Sequence, residues 1–148
     1  MQAQEFITEL LDQPADWSWQ TQTNDHAVAS LQVKNIPMEV VFLLIPIYDE
    51  HGELRFMDVW DVEFKDLEDL NPYGITGKFG SDSKTVFATV IDILRNFKQQ
   101  HKDATLKFTA EEPNRQKLYS RFVRILQQQG FKTKSAESPD GKMGYLVR

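Results

Sequence analysis

A glycine-rich segment, GITGKFGS at positions 74–81, stands directly before a strongly apolar run. Its candidate ligand-binding residues are Gly77, Lys78, Phe79, Gly80 and Ser81. The first N–H groups of a helix lack partners and carry partial positive charge, and glycine lets an anion approach the backbone closely. The segment matches neither GxxxxGK[ST] nor GxGxxG. It therefore predicts either a phosphate-binding loop or a plain turn ahead of a helix.

Two acidic residues and one tyrosine are the candidate acid–base groups. Asp61 and Glu63 alternate with apolar residues, so they share one face of a predicted strand. There they could act as a general base on an amine, or they could only keep a sheet edge soluble. Tyr119 could donate a proton as a general acid, or it could be an aromatic residue at the edge of the core. The three histidines are scattered in or near turns and support neither a metal site nor a catalytic triad.

The first half of the chain has one helical pattern followed by strand patterns. Apolar residues at helical spacing predict a short helix that Pro14 ends, and they are Phe6, Ile7, Leu10 and Leu11. Four runs follow, WSWQTQT, HAVASLQVK, MEVVFLLIPIYD and LRFMDVWDVEF, with a hairpin turn at 24–25 between the first two. In the first run, Trp17, Trp19 and Thr21 are predicted on one side. Together these runs predict an antiparallel meander.

The second half alternates helices and strands. An apolar stripe predicts a long helix after the glycine-rich segment, formed by Val86, Phe87, Val90, Ile91, Leu94 and Phe97. A strand at 104–110 is followed by a second helix that Pro113 begins and Gly130 ends, and two strands close the chain. This order predicts an α+β fold with a mixed, mostly antiparallel sheet flanked by helices. The second helix also carries a basic stripe, which is Arg115, Lys117, Arg121 and Arg124.

Size and composition predict one domain spanning residues 1–148. The chain has no cysteine, which excludes disulfides, cysteine-ligated metals and thiol nucleophiles. Its longest apolar run, VVFLLIPI, is far shorter than a membrane span, and its first residues lack the basic start of a signal peptide. We therefore expect a cytosolic protein, or a component of a particle assembled in the cytosol, with no membrane partner.

Charge is distributed unevenly along the chain. Positions 1–70 hold 15 acidic and 3 basic residues, whereas positions 114–148 hold 2 acidic and 8 basic residues. The basic C-terminal part could bind phosphates on a nucleotide cofactor or on an anionic partner, or it could attract the acidic half across the fold. The net charge of −5 and the lack of a recognised motif argue against nucleic acid as a partner.

The order of elements, the glycine-rich segment and the run NRQKLYSRFVRILQQQGF resemble the GNAT superfamily of acyl-CoA-dependent N-acetyltransferases. The resemblance implies a GNAT-like fold with acetyl-CoA as cofactor. It implies that the backbone N–H groups from Gly77 to Ser81 bind the cofactor pyrophosphate. By the same resemblance, Asn114 lies near the pantetheine arm and Tyr119 protonates the leaving thiolate.

A more specific resemblance covers about half of the chain. The stretches ITGKFGSDSKTVFATVIDILRNF and ATLKFTAEEPNRQKLYSRFVR are similar to a family of uncharacterised tailed-bacteriophage proteins that are sometimes labelled acetyltransferase-like. This resemblance implies a phage origin and a location in the host cytoplasm or in the virion. It implies no mechanism.

Two functional classes follow from these patterns. The first is an acyl-CoA-binding protein or N-acyltransferase that transfers an acyl group directly to an amine, and the glycines, Asn114 and Tyr119 favour it. The second is a non-catalytic interaction protein on the same scaffold, either a host-factor inhibitor or a virion component, with a host or phage protein as partner. The spacing of Gly77 and Gly80, three residues apart, favours this second class.

Overall fold

The computed structural model describes residues 14–33, 36–55, 58–66, 83–110, 113–137 and 143–148. These residues form nine strands and two helices. The strands before the first helix are β1 (Trp17–Gln22), β2 (His26–Val33), β3 (Ile36–Leu44), β4 (Ile47–Tyr48), β5 (Leu54–Arg55) and β6 (Val59–Asp66). The remaining elements are α1 (Ser83–Gln100), β7 (Thr105–Ala110), α2 (Pro113–Gln128), β8 (Thr133–Glu137) and β9 (Met143–Val147).

Seven of the strands form one sheet in the order β1-β2-β3-β6-β7-β9-β8, and β4 pairs with β5 in a separate two-stranded ribbon. Neighbouring strands in the sheet are antiparallel except β6 and β7, which are parallel. A parallel pair needs a long crossover connection, and α1 lies within the segment that joins β6 to β7. The predicted α+β class, with a mixed and mostly antiparallel sheet and helices beside it, is confirmed. The predicted N-terminal helix lies outside the described residues.

Both described helices pack on one face of the sheet through aromatic side chains. Phe97 of α1 stacks on Phe42 of β3 at a centroid distance of 4.2 Å. Phe122 of α2 contacts Phe64 of β6 at 6.1 Å, and it stacks on Phe87 of α1 at 5.6 Å. The predicted apolar stripe of α1 is confirmed, since all six of its residues are buried. The helices therefore share one core with the sheet.

Three side-chain hydrogen bonds fasten the edge strand β1 to α1. They run from Trp17 Nε1 to Asp92, from Trp19 Nε1 to Asn96 and from Gln22 Nε2 to Gln100, at 2.8, 2.9 and 2.9 Å. The acceptors recur every four residues, about 6 Å along a helix. Two residues of a strand span a similar ~6.7 Å, so donors on β1 can meet successive acceptors on α1.

A β-bulge in β1 changes which residue makes the third of these bonds. The register shifts between Trp19 and Thr21, so that Thr21 pairs with Val28 and Gln22 pairs with Ala27. Thr21 therefore lies on the sheet face opposite Trp19, and the prediction that they share a side was wrong. The extra residue of the bulge brings Gln22 to the helix side, where it contacts α1.

The third and fourth predicted strand runs are each interrupted. β3 ends at Leu44, after which the Ile45 N–H donates to the Val59 carbonyl at 2.8 Å. The fourth run divides into β5 and β6, and Asp58, directly before β6, adopts a φ of 58°, a left-handed conformation that Asp tolerates better than most residues. The Asp58 carboxylate also accepts a hydrogen bond of 2.9 Å from the indole of Trp60, which fixes this bend at the start of β6.

Gly130 ends α2 as predicted. It has a φ of 98°, its N–H donates to the Gln127 carbonyl, and the Phe131 N–H donates to the Leu126 carbonyl. These bonds form a Schellman motif, which satisfies carbonyls that the helix end would otherwise leave unpaired. The position favours glycine because its φ is unfavourable for a residue with a Cβ.

Replacing Gly130 with Ala is expected to lower the free energy of unfolding by about 1 kcal/mol. No atom lies within 4 Å of a Cβ built at this position, so the cost comes from the backbone conformation and not from a clash. Urea denaturation measures the change. Gln128→Ala, at an exposed position in the last turn of α2, is the control and should change stability by less than about 0.5 kcal/mol. Equal stability of the Gly130 variant and the wild type would refute the cap.

Candidate functional site

The sheet opens between its two parallel strands. β6 and β7 pair only through Val59–Thr105, Trp60–Leu106 and Asp61–Lys107. Both strands continue beyond this point, because β6 stays paired with β3 as far as Asp66 and β7 stays paired with β9 as far as Ala110. The carboxyl-terminal halves of β6 and β7 are therefore paired with their outer neighbours but not with each other, and we call this unpaired stretch the opening.

Aromatic rings lie on the helix side of this opening. Phe64 of β6 and Phe108 of β7 stack with a centroid distance of 5.8 Å. Tyr119 of α2 packs edge-on against both rings, at 5.9 Å from Phe64 and 6.2 Å from Phe108. Its side chain is 3% exposed. The proposed acid is therefore at the opening, in contact with both diverging strands, and its catalytic role stays a prediction.

The other face of the sheet carries the predicted carboxylate pair. Asp61 and Glu63 are half-buried there, while Trp60, Val62 and Phe64 are buried on the helix face, as their alternation predicts. Asp61 stands at the last pair that joins β6 to β7, and Glu63 lies two residues further, where the strands have separated. The pair therefore borders the opening on the side opposite Tyr119.

A row of side chains crosses the sheet at Asp61. The strand registers place Leu43 and Lys107 on either side of it, and Leu146 beyond Lys107. Directly paired residues point to the same face, so a carboxylate and an ammonium group lie side by side between two leucines. The leucines are 40% and 38% exposed. The row offers a charged centre with apolar flanks to a molecule that approaches this face.

The environment of Asp61 suits a base that works nearer to neutral pH than an ordinary carboxylate. Burial raises the pKa of Asp61, and the charge of Glu63 and a hydrogen bond with Glu63 raise it further, while Lys107 lowers it. Asp61 therefore keeps its proton to a higher pH than an ordinary aspartate does. This arrangement can accept a proton from an amine.

Replacing Asp61 with Asn is expected to raise the free energy of unfolding at neutral pH, by on the order of 0.5 kcal/mol. The pKa of Asp61 is higher in the folded chain than its ordinary value of 3.8. Its protonated form therefore stabilises the fold at low pH, and this contribution is lost as the pH rises through the raised pKa. Urea denaturation from about pH 3 to about pH 7 measures the effect.

The control for this prediction is Asp16→Asn, at an exposed position ahead of β1. It should leave the difference in stability between acid and neutral pH as it is in the wild type. If Asp61→Asn also leaves that difference unchanged, the inferred environment of Asp61 is wrong.

The side chains of the remaining predicted site residues lie outside the part of the chain that the structure describes. Gly77, Lys78, Phe79, Gly80 and Ser81 lie outside the described residues. The backbone of Asn114 lies in the first turn of α2, while its side chain is outside the described part. Sequence reasoning missed Lys107, whose only signal was its position between Leu106 and Phe108 in an alternating strand.

The histidines do not form a site. His51 lies in the turn of the β4–β5 ribbon, with its Nε2 3.7 Å from the carboxylate of Glu50. His101 stacks on Phe97 at 4.3 Å. Among the described residues, no group of three or more His, Asp or Glu side chains could hold a metal ion. Neither described helix is long and apolar enough to cross a membrane.

Comparison with known protein families matches residues 28–132 to DUF6934, a family of unknown function. The chain belongs to this family. The DUF6934 match begins in β2 and includes both strands that border the opening, both carboxylates and both described helices. It ends directly before β8. No curated protein and no solved structure matches the chain.

Proposed function

We propose that this chain is a GNAT-like domain that binds acetyl-CoA between β6 and β7 and transfers the acyl group to an amine. The observation that carries the proposal is the short ladder between these strands, which stops after three residue pairs while both strands continue. A cofactor arm needs such a space between two strands. Elsewhere in the sheet the ladders run along most of each strand, as the eight pairs between β2 and β3 illustrate.

The position of the opening supports the same proposal. β6 and β7 are parallel, so their carboxyl ends lie at the same edge of the sheet. The segment that follows β6 contains Gly77 to Ser81, and α2, which contains Asn114, begins three residues after β7. Ligands of sheets with parallel strands bind at this edge, where the connections leave in different directions. The chain therefore leaves β6 and β7 at this edge on its way to the two predicted cofactor-binding segments.

The described residues support a direct transfer, with an acid and a base on opposite faces of the sheet at the opening. The Asp61–Glu63 pair would take a proton from the amine, whose nitrogen then attacks the thioester carbonyl. The carbon–sulfur bond would break, and Tyr119 would give its proton to the leaving thiolate. The acyl group ends on nitrogen and the thiol is released, so no covalent enzyme intermediate is required.

Isothermal titration with acetyl-CoA and with CoA tests binding, and amide NMR shifts map it. We expect the largest shifts at residues 62–66 and 108–110, where the strands have separated, and small shifts at 59–61 and 105–107, where they pair. Gly77→Trp, which places a bulky side chain in the predicted pyrophosphate loop, should abolish the heat of binding. No heat at millimolar ligand, or shifts confined to the β4–β5 ribbon, would refute the proposed cofactor site.

A second candidate function, a non-catalytic interaction protein, is favoured by the β4–β5 ribbon. Tyr48 and Leu54 pair directly across it and are 67% and 46% exposed. The turn beyond them carries Asp49, Glu50 and Glu53. An exposed aromatic–aliphatic pair beside carboxylates suits a basic host or phage protein with an apolar patch. For this function, Tyr48→Ser should abolish capture of such a partner while acetyl-CoA gives no heat. The phage origin and the location in the host cytoplasm or the virion stay predictions.

A further inference from the structure

A polar cleft lies between α2 and the edge strand β8, and its Tyr145 packs edge-on against Tyr119 at a centroid distance of 6.4 Å. Its volume is about 200 Å³. Its lining consists of Ser120, Val123, Arg124, Gln127, Thr133, Lys134, Ser135 and Tyr145. Most of these side chains are polar, and Arg124, Gln127 and Ser135 are exposed, so the cleft is open to solvent.

The spacing of the lining residues makes them converge. Ser120, Arg124 and Gln127 are four and three residues apart, so they lie along one side of α2. Thr133 and Ser135 alternate on β8, and their register with Val147 and Tyr145 places them on the helix face of the sheet. Hydroxyl groups from a strand therefore face a guanidinium group from a helix across the cleft.

The lining offers donors and positive charge. The Thr133 hydroxyl accepts a hydrogen bond from the side-chain amide of Gln127, which leaves its own proton free to donate to a ligand. Burial raises the pKa of Tyr145, so its hydroxyl stays neutral and does not repel an anion. None of the described side chains in the lining is a carboxylate, and the ion pair found among the described residues, between His51 and Glu50, does not involve Arg124.

From this lining we infer that the α2–β8 cleft binds a phosphate monoester, with Arg124 as its main cationic contact and the hydroxyls of Ser120, Thr133 and Ser135 as donors. Guanidinium groups bind phosphate oxygens through two parallel hydrogen bonds. Pockets for whole drug-sized ligands measure about 300 to 1,000 Å³, so the smaller cleft suits a phosphate group with a short attachment. The excess of basic residues in positions 114–148 favours an anion in this region.

Amide NMR titration of the whole chain with inorganic phosphate tests the inference. Sodium phosphate replaces sodium chloride during the titration, so that the ionic strength stays constant. We expect saturable shifts at residues 120–127 and 133–135. Arg124→Gln should weaken phosphate binding at least about tenfold, because a hydrogen bond to a charged group is lost. Ser135→Ala should weaken it a few-fold, about 2 to 10. Arg95→Gln, at an exposed position on α1, is the matched control and should leave it unchanged.

Three results would overturn the inference: no saturable shifts, equal affinity of wild type and Arg124→Gln, or the same shifts with chloride alone. Phosphoserine and ribose 5-phosphate, compared in the same titration, distinguish a phosphorylated side chain from a phosphorylated metabolite as the source of the group. No acyl-CoA is used, so failure here leaves the proposed transferase site untouched, and failure of acetyl-CoA binding leaves this site untouched.

Discussion

Phe97→Ala is expected to lower the free energy of unfolding by about 4 kcal/mol. Phe97 is 0% exposed and lies at the centre of an aromatic cluster. Its ring stacks on Phe42 and on His101, at 4.2 and 4.3 Å, and contacts Trp60 edge-on at 5.0 Å. Truncation to Ala would leave a cavity between α1, β3 and β6, and a cavity costs stability beyond the lost transfer free energy.

Chemical denaturation followed by circular dichroism measures this effect. Phe97→Leu keeps most of the volume and should cost about 1.5 kcal/mol. Gln99→Ala, at an exposed position two residues further along α1, should change stability by less than about 0.5 kcal/mol. A loss below about 1 kcal/mol for Phe97→Ala would mean that the cluster does not hold α1 against the sheet.

The second large effect concerns the proposed transfer reaction. Glu63→Gln should lower kcat/KM for acyl transfer from acetyl-CoA by about 100-fold, within the range for loss of a general base. Affinity for acetyl-CoA should change less than about twofold, because the carboxylate acts on the amine and not on the cofactor. Thiol release in the presence of a small alkylamine, a polyamine and a lysine-containing peptide measures the rate.

Glu39→Gln is the matched control, because Glu39 lies on the neighbouring strand β3 and shares the face of Glu63. Its rate should equal that of the wild type. The wild-type rate should rise with pH as Asp61 loses its proton, and this rise should come at a higher pH than for an ordinary aspartate, because burial raises the pKa of Asp61. Tyr119→Phe in the same assay tests the proposed acid. The rate of transfer falls if the Tyr119 hydroxyl donates a proton, and it stays unchanged if Tyr119 only packs against its neighbours. If Glu63→Gln transfers the acyl group at the wild-type rate, Glu63 is not the general base.

The helices and the faces of most strands could be predicted from the sequence because local patterns determine them. The stripe from Val86 to Phe97 has the helical period, and the alternation of Trp60, Val62 and Phe64 with Asp61 and Glu63 has the strand period. Gly130 marked the end of α2 through a conformation that glycine adopts easily. In these cases the local structure follows from each residue and its near neighbours in the sequence.

Features that depend on long-range pairing were not predictable. The sequence shows Asp58 as one more residue of an alternating run, yet its backbone is left-handed directly before β6. The bulge in β1 reverses the face of Thr21, although the sequence continues its alternation there. The opening depends on how far β6 and β7 stay paired, and that is decided by strands and helices distant in sequence. The same holds for the α2–β8 cleft, which needs two elements to meet.

The bonds between β1 and α1 also give the protein an internal optical probe. Trp17 and Trp19 donate to Asp92 and Asn96, whereas the third tryptophan, Trp60, is buried elsewhere in the sheet. In a Trp60→Phe background, indole emission would come only from the edge strand. Its wavelength and anisotropy would then report whether that strand stays attached to the helix and to Phe42 and Phe97 beneath it.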